Sequence, residues 1–246
     1  LEILKEHFSG VDLDAYLEEY KNSGYPAVSH SEQYKKHYAP SYRIISSDFA
    51  LYFPVFKQIE KLLREKECII VAIDGRSGSG KSFLAGLLQA VYGSPIISMD
   101  HFFLRPEQRT AQRLQEPGGN VDYERFKEEV TLRLREREAF NYRIYDCQTN
   151  TFTDSPLIIP HALTIVEGSY SHHPSLVEDY DLRVFLSVPV EVQRQRILRR
   201  NGAAMWERFE NEWIPLEELY FSTLKIKEKS HIKLGVDSNG SQGSNT

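Results

Sequence analysis

An eight-residue run from Gly75 to Ser82 contains the side chains best suited to hold a phosphorylated ligand. Its sequence, Gly-Arg-Ser-Gly-Ser-Gly-Lys-Ser, fits the pattern G-x-x-x-x-G-K-[ST]. Glycines let backbone N–H groups close on phosphate oxygens, Lys81 brings a positive charge to the outer phosphates, and the Ser82 hydroxyl can bind Mg²⁺. The run therefore predicts a nucleoside triphosphate site. The residues predicted to bind it are Gly75, Ser77, Gly78, Ser79, Gly80, Lys81 and Ser82.

The sequence on either side of this run supports the same interpretation. Residues 68–73, Cys-Ile-Ile-Val-Ala-Ile, form a β-branched apolar stretch typical of a buried strand, and residues 83–89 are compatible with a helix. The alternative is an ordinary glycine-rich turn. Such a turn does not require a strand before it and a helix after it, so the phosphate-binding loop is favoured.

Two carboxylates follow further predicted strands, Asp100 after 95–99 and Glu167 after 163–166. Ligands of open α/β sheets gather at the carboxyl ends of the strands, so both side chains are expected beside the loop. Asp100 could accept a proton from an attacking hydroxyl or help to hold a metal ion. Glu167 could order the water shell of Mg²⁺ next to Ser82. The alternatives are a helix cap for Asp100 and a structural role for Glu167.

A cluster of arginines occupies a later predicted helix. Arg196, Arg199 and Arg200 share one face of this helix by the i, i+3, i+4 rule. Such clusters commonly only solvate a helix. On a mobile flap, however, guanidinium groups can neutralise charge on a moving phosphoryl group, and Asn201-Gly202 provides a hinge. The flap interpretation is favoured.

These residues need a framework of strands alternating with helices. That alternation predicts an α/β fold with a parallel sheet covered by helices on both faces. The predicted strands are 69–74, 95–99, 163–167, 182–188 and 232–236. The predicted helices are 81–91, 123–138, 190–200 and 215–229. Segments 142–147 and 151–159 are predicted to form an inserted hairpin.

Three regions are expected along the chain. Residues 1–65 are predicted to be a mostly helical extension packed on the core, with a separate binding module as the alternative. Residues 66–237 form the main domain, and residues 238–246 form a flexible polar tail. The role of the extension is left open.

Composition narrows the function classes. The 246 residues are 41% hydrophobic and 26% charged, with a net charge of −5 and no long basic block, so neither a membrane nor a nucleic acid is an expected partner. The two cysteines are far apart and no signal peptide is evident, which favours a cytoplasmic location. His172 and His173 lack the spacing of a zinc site and are interpreted as loop residues. A homo-oligomer is compatible with the sequence.

Taken together, several segments resemble the uridine kinase-like family of P-loop nucleoside kinases, whose relatives include phosphoribulokinase, pantothenate kinase and nicotinamide riboside kinase. The resemblance runs from about residue 68 to 236 and rests on the order and spacing of these segments. They are Ala-Ile-Asp-Gly-Arg-Ser-Gly-Ser-Gly-Lys-Ser at 72–82, Ser-Met-Asp-His-Phe-Phe at 98–103, Asn-Val-Asp-Tyr at 120–123, Tyr-Asp at 145–146, Val-Glu-Gly at 166–168 and the arginine helix at 196–200.

The resemblance implies a P-loop NTPase fold and ATP-dependent, Mg²⁺-assisted phosphorylation of a hydroxyl group. Asp100 falls on the family's catalytic base, and Arg196 and Arg199 fall on its lid arginines. The substrate residues are implied to be Asn120 or Asp122 for ribose hydroxyls and Tyr145 for the nucleobase.

The chain departs from uridine kinases at two places. It lacks their His-Pro-Asp core, having Glu-Pro-Gly-Gly-Asn-Val-Asp at 116–122, and it lacks their base-reading histidine near Asn150. These departures leave the fold and reaction type as expected but leave the acceptor open. The alternatives are a kinase for a pantothenate-like or sugar-phosphate acceptor and a non-catalytic nucleotide-binding regulator; the choice of ATP or GTP is also open.

Overall fold

The computed structural model describes residues 13–24, 31–39 and 46–235. Contacts divide the chain into two units, Leu1–Ala50 and Leu51–Thr246. The first unit contains helices α1 (Leu13–Asn22) and α2 (Glu32–Tyr38), and helix α3 (Ser47–Glu65) begins in it. The boundary near residue 65 expected from the sequence differs from this division, because Tyr52, Val55 and Ile59 of α3 are buried in a core of the second unit. Val236 and the tail 238–246 lie outside the described residues.

The second unit alternates strands and helices, as the sequence predicts. The strands are β1 (Ile69–Gly75), β2 (Ile96–Ser98), β3 (Arg143–Asp146), β4 (Thr151–Asp154), β5 (Leu163–Glu167), β6 (Leu182–Ser187) and β7 (Ile232–Gly235). The α-helices are α4 (Lys81–Tyr92), α5 (Ala111–Gln115), α6 (Tyr123–Phe126), α7 (Leu132–Glu136), α8 (Val190–Asn201), α9 (Ala203–Arg208), α10 (Ile214–Leu224) and α11 (Ile226–Lys229). A π-helical turn, Lys127–Thr131, joins α6 to α7, and another, Phe209–Trp213, joins α9 to α10.

Five strands form a parallel sheet in the order β2-β5-β1-β6-β7. The register places Ile73 of β1 opposite Glu167 of β5 and opposite Val184 of β6, while Ser98 of β2 also pairs with Glu167. The carboxyl ends of β1, β2 and β5 therefore meet at one edge of the sheet. This edge holds the phosphate loop and the residues that follow β2 and β5.

The sheet is buried on both faces. Alternate residues of a strand point to opposite faces, and two separate cores record this period of two. One face buries Ile69, Val71 and Ile73 of β1 against helices α3 and α4. The other face buries Ala72 of β1 and Phe185 of β6 against residues of α6, α10 and α11. The predicted parallel sheet with helices on both faces is confirmed.

The inserted hairpin is shorter than the segments predicted for it. Strands β3 and β4 pair antiparallel from Arg143↔Asp154 to Asp146↔Thr151. Beyond them, an isolated bridge between Phe140 and Ile158 continues the contact without regular pairing. The turn places Asn150 at φ +57°, a left-handed conformation that asparagine tolerates better than most residues.

Helix α9 and the π turn after it were not predicted. Gly202 ends α8 at φ +80°, as the Asn201-Gly202 break suggests, but the chain resumes a helix at Ala203. The break therefore separates two helices instead of leading into an open loop.

His172 and His173 lie in the loop after β5, as expected, but both are buried. The ring of His172 lies 3.1 Å from the Ala72 carbonyl oxygen and 3.2 Å from the Ser230 hydroxyl, and His173 stacks on Tyr123 at a centroid distance of 4.0 Å. Burial lowers the pKa of His172 to about 3 and that of His173 to about 4. Both rings are therefore neutral in the folded protein at neutral pH.

These histidines should make the fold sensitive to acid. The unfolded chain takes up protons near pH 6.5, whereas folded His173 resists protonation down to about pH 4, so its contribution is complete above pH 6.5 and is lost as the pH falls. From about pH 7 to about pH 5 this histidine should cost about 2 kcal/mol of unfolding free energy. In urea denaturation, the unfolding free energy of His173→Gln should therefore fall by about 2 kcal/mol less than that of the parent over this pH range. Equal slopes in variant and parent would contradict this prediction.

Candidate active site

The loop from Gly75 to Ser82 has the backbone of an anion-binding turn. Gly75, Gly78 and Gly80 have φ values of +140°, +75° and +100°, a region that side chains rarely adopt. A Cβ at Gly75 would lie 2.0 Å from the carbonyl oxygen of Leu186, so the loop needs glycine there. The loop leads into helix α4, whose first-turn N–H groups favour an anion. The Ser79 hydroxyl is buried and has no hydrogen-bond partner within the described part of the chain. This loop suits a phosphate chain.

Lys81 is held at the mouth of the loop. Its ammonium group donates to the carbonyl oxygens of Gly75 at 2.7 Å and Arg76 at 3.0 Å, and to the Ser169 hydroxyl at 3.2 Å. These acceptors fix an otherwise flexible side chain, which is buried. The positive charge is thereby oriented without a carboxylate contact that would neutralise it.

A buried carboxylate that the sequence reasoning missed lies beneath the loop. Asp74 accepts hydrogen bonds from the N–H groups of Gly75, Tyr170 and His172 and from the Tyr220 hydroxyl. Burial raises its pKa to about 6, although these donors and the charge of Lys81 oppose the rise. Asp74 thus joins β1 to the loop after β5 and to helix α10. The sequence signal that could have identified Asp74 is a charged residue within an otherwise apolar strand.

Two neighbouring carboxylates of α10 hold the first half of the loop. Glu217 is buried and accepts from the Ser77 amide at 3.0 Å, the Ser77 hydroxyl at 2.6 Å and the Ser169 hydroxyl at 2.8 Å. Glu218 forms a two-bond pair with the Arg76 guanidinium, at 2.5 and 2.9 Å. No local sequence pattern indicates either contact, since Ser77 and Glu217 lie 140 positions apart.

These two glutamates should differ in their effect on stability. Glu217→Ala would leave the partly buried amide and hydroxyl donors of Ser77 without their acceptor, at an expected cost of about 1–3 kcal/mol of unfolding free energy. Glu218→Ala is the matched control on the same helix, and it breaks a partly exposed pair worth about 1 kcal/mol or less. Urea denaturation of both variants measures the difference. Equal losses would show that the Glu217 contacts are not specially stabilising.

Ser82, Glu167 and Ser98 form a group of oxygen ligands beside the loop. The Ser82 hydroxyl donates to Glu167 at 3.2 Å, and the Ser98 hydroxyl donates to its other carboxylate oxygen at 3.3 Å. Burial, and then the charge of Asp100, raises the pKa of Glu167. Hydroxyl and carboxylate oxygens are the ligands that Mg²⁺ prefers, so the two residues predicted for the metal fit this ion. Among the described residues, no group of three His, Cys, Asp or Glu side chains could hold a metal ion by itself.

Asp100 lies at the same edge of the sheet. It is in the short 3₁₀-helix Met99–Phe102 directly after β2, its side chain is exposed, and its own N–H donates to the Ser98 hydroxyl at 3.3 Å. Its charge is close enough to raise the pKa of Glu167. The Asp100 carboxylate is therefore free of the helix-capping role that was its alternative, because the Ser98 side chain supplies that cap.

The two lid arginines occupy different environments. Arg196 of α8 donates to the Gly78 carbonyl oxygen at 3.0 Å, and α8 packs on the loop so closely that a Cβ at Gly78 would lie 3.5 Å from the Gln193 carbonyl oxygen. Arg199 is exposed one turn further along. The structure thus joins Arg196 to the loop, whereas among the described residues no hydrogen bond or ion pair joins Arg199 to it.

The two residues implied for binding ribose hydroxyls differ in how far the protein already uses their side chains. Asn120 is partly buried and its side chain lies near Tyr170. Asp122 is buried and uses both oxygens within the protein, one for the Arg125 amide at 3.1 Å and one for Gln108 at 2.9 Å. Asp122 therefore caps helix α6, and Asn120 is the more available of the two.

The side chain of Tyr145 is buried in the hairpin. Its ring is buried against Phe152 in the hairpin, and its hydroxyl donates to Asn150 at 2.7 Å. The hairpin thus fixes Tyr145, because its ring and its hydroxyl both have partners within the protein.

Comparisons with known proteins agree with this geometry. No family model matches the chain. It is 24% identical over 144 residues to a cytidylate kinase of Thermococcus sibiricus, covering 58% of this chain and 63% of that protein. It is 24% identical over 155 residues to a uridine kinase of Shewanella halifaxensis, covering 57% of this chain and 72% of that protein. The matched region thus spans less than two thirds of the cytidylate kinase.

Solved structures share the fold. A structure described as a possible uridine kinase from Bacillus stearothermophilus matches with a TM-score of 0.54 at 17% identity, covering 73% of this chain and 98% of that one. A candidate fructose transport system kinase from Silicibacter matches with a TM-score of 0.55 at 21% identity, covering 68% and 93%. The resemblance of this chain to the uridine kinase-like family of P-loop kinases is thereby confirmed, its sequence matching kinases of this kind and its fold that of a P-loop NTPase.

Proposed function

We propose that the protein is an ATP-dependent kinase that transfers the γ-phosphoryl group of ATP to a hydroxyl group of a small molecule. The observation that carries this proposal is the meeting of Lys81, the Ser82–Glu167 pair and Asp100 at one edge of the sheet. A phosphate site alone would serve a nucleotide-dependent switch equally well. An exposed carboxylate beside it is what a hydroxyl acceptor needs.

The reaction is an in-line displacement. The acceptor oxygen forms a bond to the γ-phosphorus while the bond from that phosphorus to the bridging oxygen of ADP breaks, and the hydroxyl proton passes to Asp100. The loop amides and Lys81 offset charge on the phosphate oxygens, and Arg196 stands beside the loop to do the same. Positioning and electrostatics supply most of the rate.

Ser82 and Glu167 are the residues that would hold Mg²⁺, Ser82 directly and Glu167 through the ion's water shell. When bound, the ion would neutralise part of the negative charge of the phosphates. The hydroxyl and carboxylate already lie within hydrogen-bond distance of each other, so no rearrangement of the chain is needed to bring these ligands together.

Two observations indicate the class of acceptor, namely the names of the relatives and the residues of the site. The names of the matched kinases favour an acceptor that contains a nucleoside: uridine kinase is named for a nucleoside and cytidylate kinase for a nucleoside monophosphate. Asn120 remains the proposed contact to acceptor hydroxyls, since its neighbour Asp122 is used as a helix cap. Tyr145 is proposed as a wall of the acceptor site.

One assay tests the proposal. The protein is incubated with MgATP and a panel of nucleosides, vitamins with hydroxyl groups and sugar phosphates, and ADP release is followed. We expect at least one acceptor to raise ADP release well above the rate without acceptor. A rate that no acceptor changes, in protein shown to bind MgATP, would contradict the proposed function and favour a nucleotide-binding regulator.

Described residues contain no helix with the length and apolar character needed to span a bilayer.

A further inference from the structure

The loop between β2 and α6 contains several arginines. It lies on the side of Asp100 where we propose that the acceptor binds. We name residues 103–121 the acceptor-side loop. Its two ends are held together, since Phe103 and Val121 form a β-bridge and the Leu104 amide donates to the Asn120 carbonyl oxygen at 3.3 Å. Side chains at its far end therefore have a defined position beside the hairpin of β3 and β4.

Arginines in this part of the chain are nearly all neutralised. Eight arginines lie between residues 105 and 143, and seven of them form ion pairs with carboxylates. Arg113, for example, makes two contacts of 2.7 Å to Glu124 and further bonds to backbone carbonyls. Arg105 pairs with Glu107 at 3.1 Å.

Arg109 is the exception among these eight. It forms no ion pair with any carboxylate of the described residues, and its side chain is exposed. Its Nε donates to the Leu104 carbonyl oxygen at 3.0 Å, which anchors the group, and one terminal nitrogen lies 3.9 Å from the Cys147 sulfur. The anchored guanidinium therefore keeps N–H donors that no protein carboxylate uses.

The position of Arg109 is on the acceptor side of the site. Cys147, at the end of the hairpin, is within electrostatic range of both Arg109 and Asp100, and Tyr145 is within range of Arg109 and Arg105. The Arg109 guanidinium and the Asp100 carboxylate thus both lie within electrostatic range of the exposed Cys147 thiol.

We infer that the acceptor carries an anionic group, a phosphate or a carboxylate, in addition to the hydroxyl that is phosphorylated, and that Arg109 binds this group. The inference rests on the proposed kinase function and narrows its substrate class. A neutral nucleoside would gain nothing from an anchored guanidinium. A planar fork of N–H donors matches phosphate or carboxylate oxygens two at a time.

The first experiment compares acceptors in matched pairs that differ in the anionic group. Suitable pairs are pantothenate with panthenol, a fructose phosphate with fructose, and a nucleoside 3′-phosphate with the nucleoside. We expect an anionic member to give a kcat/KM at least about 10-fold above its neutral partner, and Arg109→Gln to remove most of that ratio, mainly through KM. Whether the carboxylate or the phosphate pair shows the effect identifies the anion.

Arg105→Gln is the matched control, because Arg105 lies on the same loop and is already paired with Glu107. It should leave the ratio between anionic and neutral acceptors nearly unchanged. A neutral acceptor that is used as well as its anionic partner, or an Arg109→Gln variant that keeps the full ratio, would overturn the inference while leaving the kinase function in place.

A second experiment does not depend on turnover. Cys147 is exposed and lies beside Arg109, so an anion bound there should shield it from iodoacetamide, whereas Cys68, partly buried elsewhere, serves as the internal reference. Mass spectrometry should show slower labelling of Cys147 with the anionic probes than with the neutral ones, and no such protection in Arg109→Gln. Protection without acceptor-dependent ADP release would support the anion site and refute the kinase function. Equal labelling with every probe would refute the anion site.

Discussion

Replacement of Lys81 by alanine is expected to weaken MgATP binding severely and to lower kcat/KM by about 10²–10³-fold. The ammonium group is oriented by Gly75, Arg76 and Ser169 at the mouth of the loop, and no carboxylate within the described residues forms an ion pair with it. Its charge is thus available to the outer phosphates, in both the ground state and the transition state. Isothermal titration with MgATP and with MgADP measures the loss of binding directly.

Arg76→Ala provides the matched control for this experiment. Arg76 is a cation of the same loop, but its guanidinium is engaged by Glu218 and faces helix α10. Its removal should change nucleotide affinity much less than removal of Lys81. If the two variants lost affinity equally, the loss would reflect disturbance of the loop, and the assignment of Lys81 to the phosphates would fail.

The order of elements in this chain could be predicted because each rests on a local pattern. Mainly apolar segments of five to seven residues mark β1, β5 and β6, and the loop glycines are set by the backbone they must adopt. The edge at which Asp100 and Glu167 meet also follows, since parallel strands carry their carboxyl ends to one side. The sequence could therefore indicate both the fold and the first members of the site.

The remaining site residues depend on tertiary packing that no local pattern records. Glu217 contacts Ser77 only because α10 packs across the end of the sheet, and the segment of α9 that leads to it has no capping signal. Asp122 was a plausible hydroxyl ligand by position, yet it caps α6. The partners of a carboxylate decide whether it binds substrate or holds the fold, and those partners lie far away in sequence.

Among the residues of the site, Asp100 has the largest expected effect on turnover. Asp100→Asn should leave MgATP affinity near that of the parent and lower kcat by about 10²–10⁴-fold, because the amide keeps the shape of the side chain but cannot accept the hydroxyl proton. Asp100 is exposed and its backbone amide, not its carboxylate, takes part in the local turn, so the fold should tolerate the change. Acceptor-dependent ADP release, with MgATP titration alongside, separates the two effects.

Asp154→Asn is a suitable control, since Asp154 is an exposed residue of β4. Its backbone lies opposite that of Arg143 in the antiparallel hairpin. It should leave both kcat and MgATP affinity close to those of the parent. Full activity of Asp100→Asn would remove this residue from the role of base. Loss of MgATP binding together with turnover would instead place Asp100 with Ser82 and Glu167 in the metal site, because then the carboxylate would matter before the acceptor is involved.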